Sequence, residues 1–247
     1  ADAPGSGLHP VGSGAGGLEG GGIMGKSRPP CLQKSPPGTG ATISSFRAAD
    51  SFSLVVGMDA ELVLALDLGT SSTRTALFDV AGQRVPGTTA QEAYELITSR
   101  DGAAEIDPGV LLRAVMHCLE QTMHAHRLDP VLRARPIAGI GVSTFWHSLV
   151  GCEAKGVSIT PIITWADARS REESTRLRQR FDEKRMHART GCMLRASFWP
   201  AKLRWLERVQ HRKFTTVKHW MSPAEWLQVT LTGEANCALG MATGTGL

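Results

Sequence analysis

Residues Leu64–Asp79 read LALDLGTSSTRTALFD, and the fold of the chain turns on them. An apolar run ends in Asp67 and Gly69. Four hydroxyl residues follow without a break, Thr70, Ser71, Ser72 and Thr73, and then a β-favouring run through Thr75, Leu77 and Phe78 reaches Asp79. Ala81 and Gly82 mark a turn into Gln83–Val85. Strand, tight turn and strand again predict an antiparallel hairpin, where a crossover unit would place a helix after the first strand. A turn built from glycine and small hydroxyl residues lets backbone amides approach an anion closely, which suits a polyphosphate. Asp67, at the strand end, would hold the accompanying Mg2+ through water, because this small hard ion keeps much of its hydration. The same residues also describe a hydroxyl-rich turn capped by an aspartate, and this stretch alone leaves both readings open.

The pattern downstream is that of an α/β layer fold. Asp107 and Pro108 supply an N-cap and a first-turn proline for a helix in which Leu111, Val115 and Leu119 recur every fourth residue, running to about His126. Strands are expected at Pro136–Ser143, Leu149–Cys152 and Ile159–Thr164. Arg169–Arg185 is charge-rich and reads as one solvated helix, Ala201–Val209 as a short amphipathic helix after Pro200, and Ser222, Pro223 and Glu225 as a capping box for a last helix closed by Gly233.

Upstream the material is different. Residues 1–57 hold 13 glycines, 6 prolines and 8 serines, too little apolar surface to offset the conformational entropy of ordering, so a disordered tail is expected there. Met58, just before the first strand, is the expected natural start. Gly20–Ser27, GGGIMGKS, matches the GxxxxGK[ST] phosphate loop literally. A working loop needs a strand before it and a helix after it; here a Gly/Ser run precedes and Arg28, Pro29 and Pro30 follow.

Composition narrows the class. The 27 basic residues exceed the 23 acidic ones by a net +4 spread along the chain, a poor case for nucleic acid. Apolar stretches such as Leu62–Leu66 and Pro136–Val142 fall far short of the roughly 20 residues of a membrane span, so no membrane association is expected. Cys31, Cys118, Cys152, Cys192 and Cys237 are odd in number and follow no ligand spacing, which argues against a disulfide framework or zinc site and favours a cytoplasmic setting.

Two further segments carry chemistry. In Gly141–Gly151, GVSTFWHSLVG, and Ile159–Ser170, ITPIITWADARS, Trp146 and Trp165 offer flat apolar faces, while His147, Asp167 and Arg169 offer directional hydrogen bonds to polar groups. Singly, each is as readily a core tryptophan, a satisfied histidine, a helix cap or a surface charge.

DLGTSSTR resembles the first phosphate motif of the actin, heat-shock and sugar-kinase superfamily. The order of the later segments, with Trp165, Asp167 and Arg169 matching a Trp-x-Asp-x-Arg signature and LTGEANCALGMATGTGL closing the chain, resembles the FGGY carbohydrate kinases over residues 62–247. STFWHSL, TWADARS and Arg189–Leu206 look most like the gluconokinase branch. The resemblance implies an actin-like ATPase (ribonuclease H-like) domain, with a mixed sheet and flanking helices, over residues 58–247. It implies ATP and Mg2+ as cofactors and phosphate contacts from Asp67, Gly69, Thr70, Ser71, Ser72 and Arg74. It places His147, Trp165 and Asp167 at sugar-contacting positions and implies a small-molecule sugar or sugar acid as partner; a sugar acid such as gluconate favours a cationic partner, and Arg169 is the candidate to bind it bidentately. The aspartate that accepts the proton of the attacking hydroxyl is expected beyond Leu247, in a C-terminal kinase domain this sequence lacks, so no catalytic residue is assigned here and the chain alone is expected to be inactive. A xylulokinase-like pentulose kinase and a non-catalytic sugar-binding fragment are the alternatives. A chaperone-type ATPase shares the DLGT turn but has no use for the Trp165, Asp167 and Arg169 set.

Overall fold

The computed structural model describes residues 61–247. The glycine-rich segment, Met58 and the GGGIMGKS match lie outside the described residues. In chain order the strands are β1 (Leu62–Leu68), β2 (Ser72–Asp79), β3 (Ala90–Ala93), β4 (Ile97–Thr98), β5 (Ala104–Ile106), β6 (Ile137–Thr144), β7 (Val150–Cys152), β8 (Ile162–Ile163) and β9 (His219–Met221). The helices are α1 (Pro108–Leu128), α2 (Pro130–Arg133), α3 (Arg171–Arg180), α4 (Glu183–Thr190), α5 (Trp199–Val209), α6 (His211–Thr216), α7 (Pro223–Thr232) and α8 (Leu239–Gly244).

The main sheet has the order β3-β2-β1-β6. β1 and β2 form the expected antiparallel hairpin, with Leu64 opposite Leu77 and Asp67 opposite Arg74. β6 lies parallel to β1 on its other side and sets Ser143 beside Asp67, so the sheet is mixed. Along β1 the leucines at 62, 64, 66 and 68 are buried in alternation with more exposed residues, the period of a strand with one face on a core. The covering layer is α1. The Asp107 side chain accepts from the Val110 amide at 2.8 Å, and Leu111, Ala114, Val115 and Cys118 form the buried stripe. A buried hydroxyl pair, Thr75 with Thr122 at 2.6 Å, pins this helix to β2.

Two smaller sheets, β4-β5-β8 and β7-β9, attach beside it. The strand expected over Ile159–Thr164 shrinks to Ile162–Ile163, because Thr160 turns its hydroxyl onto the Gly151 amide and the Pro161 carbonyl. The single helix expected over Arg169–Arg185 is two. Phe181 is extended and Asp182 caps α4, its carboxylate accepting from the amides of Lys184 and Arg185. The first of these helices is also not simply solvated: Glu173, Ser174 and Leu177 are buried, and Arg208 of α5 donates to Glu173 at 2.6 Å. Ser222 and Glu225 form the capping box of α7, and Gly233 closes it with φ 78°.

Candidate functional site

The site begins at the β1–β2 turn. The Gly69 amide donates to the Ser72 carbonyl at 2.9 Å, and a Cβ on Gly69 would stand 2.9 Å from that same oxygen, closer than real Cβ contacts come. Glycine is required here by space. Beneath the turn the buried Tyr94 donates its hydroxyl to the Gly69 carbonyl, and its own amide donates to Ser71 O at 3.0 Å. Burial pushes the Tyr94 phenol above its usual range, which keeps it a proton-bearing donor. The tip carries an exposed Ser71 and a half-buried Thr70. Ser72, expected among the phosphate contacts, is only 5% exposed, and what it brings to the turn is its backbone carbonyl.

Asp67 is half exposed at the strand end, with the Arg74 guanidinium 3.5 Å away. Among the described residues no group of three or more acidic, histidine or cysteine side chains is gathered as a metal cage. One carboxylate beside exposed hydroxyls is a hard-oxygen donor set, and it fits an ion that takes its remaining ligands from water and phosphate.

The second half of the site is two loops. After β6 comes Phe145–Leu149, in which His147 has φ 59°, a left-handed conformation unusual for a residue with a side chain. Its Nδ1 lies 2.7 Å from the Gly244 carbonyl, which only accepts, so Nδ1 carries a hydrogen and donates it there. After β8 comes Thr164–Arg169. Ser148 joins the two loops by donating to the Trp146 carbonyl at 3.3 Å and accepting from the Trp165 amide at 3.0 Å. Trp146 and Trp165 are 53% and 50% exposed, large rings held at the surface by ordered backbone. Trp165 reaches the phosphate turn: its indole Nε1 donates to Thr70 Oγ1 at 3.2 Å.

Asp167 and Arg169 are committed elsewhere. Asp167 is 2% exposed and accepts from the Ala104 amide at 3.0 Å and the Arg169 amide at 3.1 Å. The Arg169 guanidinium binds Asp167 at 2.7 Å, pairs with Glu105 and lies 4.4 Å over the Trp205 ring. Burial works against its charge, but the two carboxylates outweigh it and hold the guanidinium above its usual range. Arg169 is thus already engaged through Nε and Nη2 by two protein carboxylates, with which a sugar carboxylate would have to compete. Glu105, Ser148, Tyr94 and Lys202 complete the site and were missed from sequence. Tyr94 alone had a signal, as the single tyrosine of the chain.

A cavity of about 730 Å³ adjoins the first loop, between β6 and α7, and is lined by Val142, Ser143, Thr144, Trp146, Leu227 and Met241 among others. Thr144 Oγ1 is buried without a hydrogen-bond partner among the described residues. Asp67, Trp165 and Asp167 are not among its walls.

Residues 62–247 match the FGGY family of carbohydrate kinases, N-terminal domain, and the chain belongs to that family. A glycerol kinase of Stenotrophomonas maltophilia is 32% identical over 66% of this chain and 34% of its own length. A xylulose kinase of Lactococcus lactis is 28% identical over 74% of this chain and 35% of its own. The crystal structure of a gluconate kinase from Lactobacillus acidophilus superposes with a TM-score of 0.68 at 27% identity, over 75% of this chain and 36% of that one. The mixed sheet with its flanking helices is the actin-like ATPase fold of these kinases. The chain spans about a third of the length of the curated relatives it matches.

Proposed function

We propose that residues 62–247 form the sugar-binding and phosphate-facing part of an ATP-dependent carbohydrate kinase. The observation that carries this reading is the Trp165–Thr70 hydrogen bond, which brings the hydroxyl turn and the tryptophan loop into contact across 95 positions of sequence. Phosphoryl transfer is mostly positioning and charge stabilisation, so a shared site for phosphate and polyol is the feature it needs. MgATP, when bound, supplies the phosphoryl group and the metal charge that screens it. Asp67 is the carboxylate that holds the ion through water, with Thr70, Ser71 and the turn backbone facing the phosphates and Arg74 adding positive charge. Trp146 and Trp165 stack on the C–H faces of the polyol, His147 Nε2 hydrogen-bonds a hydroxyl, and buried Asp167 fixes the backbone of its own loop. The residue that accepts the proton of the attacking hydroxyl lies outside this set.

Gluconate is the acceptor to which the STFWHSL and TWADARS segments point, giving 6-phosphogluconate as product. A neutral ketopentose such as xylulose is favoured by a different observation, the filling of Arg169 by Asp167 and Glu105. Calorimetric titration of the chain with gluconate, xylulose and glycerol, with and without MgATP, tests both. Saturable heat with one polyol supports the reading and names the substrate, whereas no heat with any of them at millimolar concentration refutes it.

A further inference from the structure

Lys202 lies on α5, its side chain completely enclosed, in a sequence context, WPAKLRWL, that reads as an ordinary amphipathic helix. Lysine is almost never fully buried unless something holds its ammonium. Here Nζ donates to the Thr164 carbonyl at 2.6 Å and to the His147 carbonyl at 3.0 Å. Those two oxygens belong to the two loops that carry Trp146 and His147 on one side and Trp165 and Asp167 on the other. An apolar side chain in the same volume would take from the His147 carbonyl the donor it has here and leave the Thr164 carbonyl only the Asp167 amide, 3.1 Å away. His147 needs such support, because a left-handed backbone at a residue with a Cβ persists only when its surroundings over-determine it.

We infer that Lys202 is the positioning residue of the sugar site, an ammonium clamp that holds the two polyol-facing loops together. The inference rests on the reading of these loops as the sugar site. Its logic is linkage. A ligand that touches both loops favours the clamped arrangement, and charge-assisted hydrogen bonds to the two carbonyls are strongest when the amine is protonated. Burial depresses the lysine to about 7, with Asp167 raising it and Arg169 lowering it, so near neutral pH a share of the free chains carries the neutral amine. Glu105 enters through its pairing with Arg169, and the His147 ring is held by the Gly244 carbonyl. Arg208, further along α5, is engaged by Glu173 of α3. Sugar binding therefore takes up protons, and affinity falls as pH rises from 6.5 to 8.5.

Calorimetry with gluconate and xylulose in phosphate and Tris buffers, whose ionisation heats differ, reads this directly. The wild-type chain is expected to show buffer-dependent heat corresponding to proton uptake near pH 7.5. Lys202→Met is expected to bind about tenfold more weakly, with that uptake abolished and a flattened pH profile. Wild-type affinity and undiminished proton uptake in Lys202→Met overturn the clamp while leaving the sugar site standing. No binding of either sugar by the wild type overturns the sugar site, and the clamp with it. Should Lys202→Met fail to fold, the wild type decides alone, since binding heat independent of buffer overturns the inference.

Discussion

The indole nitrogen of Trp165 donates to the hydroxyl of Thr70 at 3.2 Å, joining the loop after β8 to the turn after β1. The contact is partly exposed, so its strength is that of an ordinary hydrogen bond, roughly 0.5–1.5 kcal/mol. Trp165→Phe keeps an aromatic face and removes the donor. Sugar affinity measured by calorimetry is expected to fall about two- to tenfold, with urea unfolding weakened by no more than about 1.5 kcal/mol; unchanged affinity would show that the contact does not help shape the site.

Gly69→Ala meets a harder obstacle. The added methyl would stand 2.9 Å from the Ser72 carbonyl, a backbone atom already holding the Gly69 amide, so the turn must open. A loss of about 1–3 kcal/mol in urea unfolding is expected. A change within about 0.5 kcal/mol, the usual range of a neutral surface substitution, would contradict the tight turn.

Arg169→Met separates a scaffold role from a substrate role. The substitution leaves Asp167, itself 2% exposed, without its counter-charge, and breaking a buried pair by removing one partner costs about 3–5 kcal/mol. Discounting for the part-exposed Glu105 side, a drop of about 2–4 kcal/mol in chemical unfolding is expected. Selective loss of gluconate binding, with xylulose binding and stability intact, would return Arg169 to the role of carboxylate receptor.

Lys202 makes stability depend on pH in a defined direction. Its folded value, about 7, lies below the 10.5 of the unfolded chain, so between these values the unfolded state binds more protons and stability rises with pH. The slope from this one group approaches but does not exceed about 1.4 kcal/mol per pH unit. Subtracting the Lys202→Met profile from the wild-type profile between pH 6 and 9 isolates it, and a difference that is flat or falls with pH contradicts the buried ammonium. The fold and the sugar site are thus expected to prefer opposite ends of this range.

Much of this was legible locally. The hairpin of LALDLGTSSTRTALFD, the Asp107 cap and the Ser222–Glu225 capping box depend on neighbours within a few residues, and they stand where the pattern put them. The break at Phe181–Asp182 had a visible signal, an aspartate placed to cap α4, outweighed by the continuous charge pattern around it. The partners of Arg169 had none: Glu105 is 64 positions away and Trp205 is 36, and nothing in either local context marks them as neighbours. Lys202 was hidden for the same reason. A lysine in an amphipathic helix reads as solvent-facing until the carbonyls of residues 147 and 164 are known to meet it.

The pairing of Arg169 with Asp167 and Glu105 has a consequence for which molecules the loops will tolerate. Together with Lys202 these groups sum formally to zero while the lysine is charged and to minus one once it is not. An anionic sugar acid would then feel repulsion that an uncharged ketose would not. Alkaline conditions should therefore tilt preference from acids toward neutral sugars, so that selectivity is written partly in the field around the binding loops.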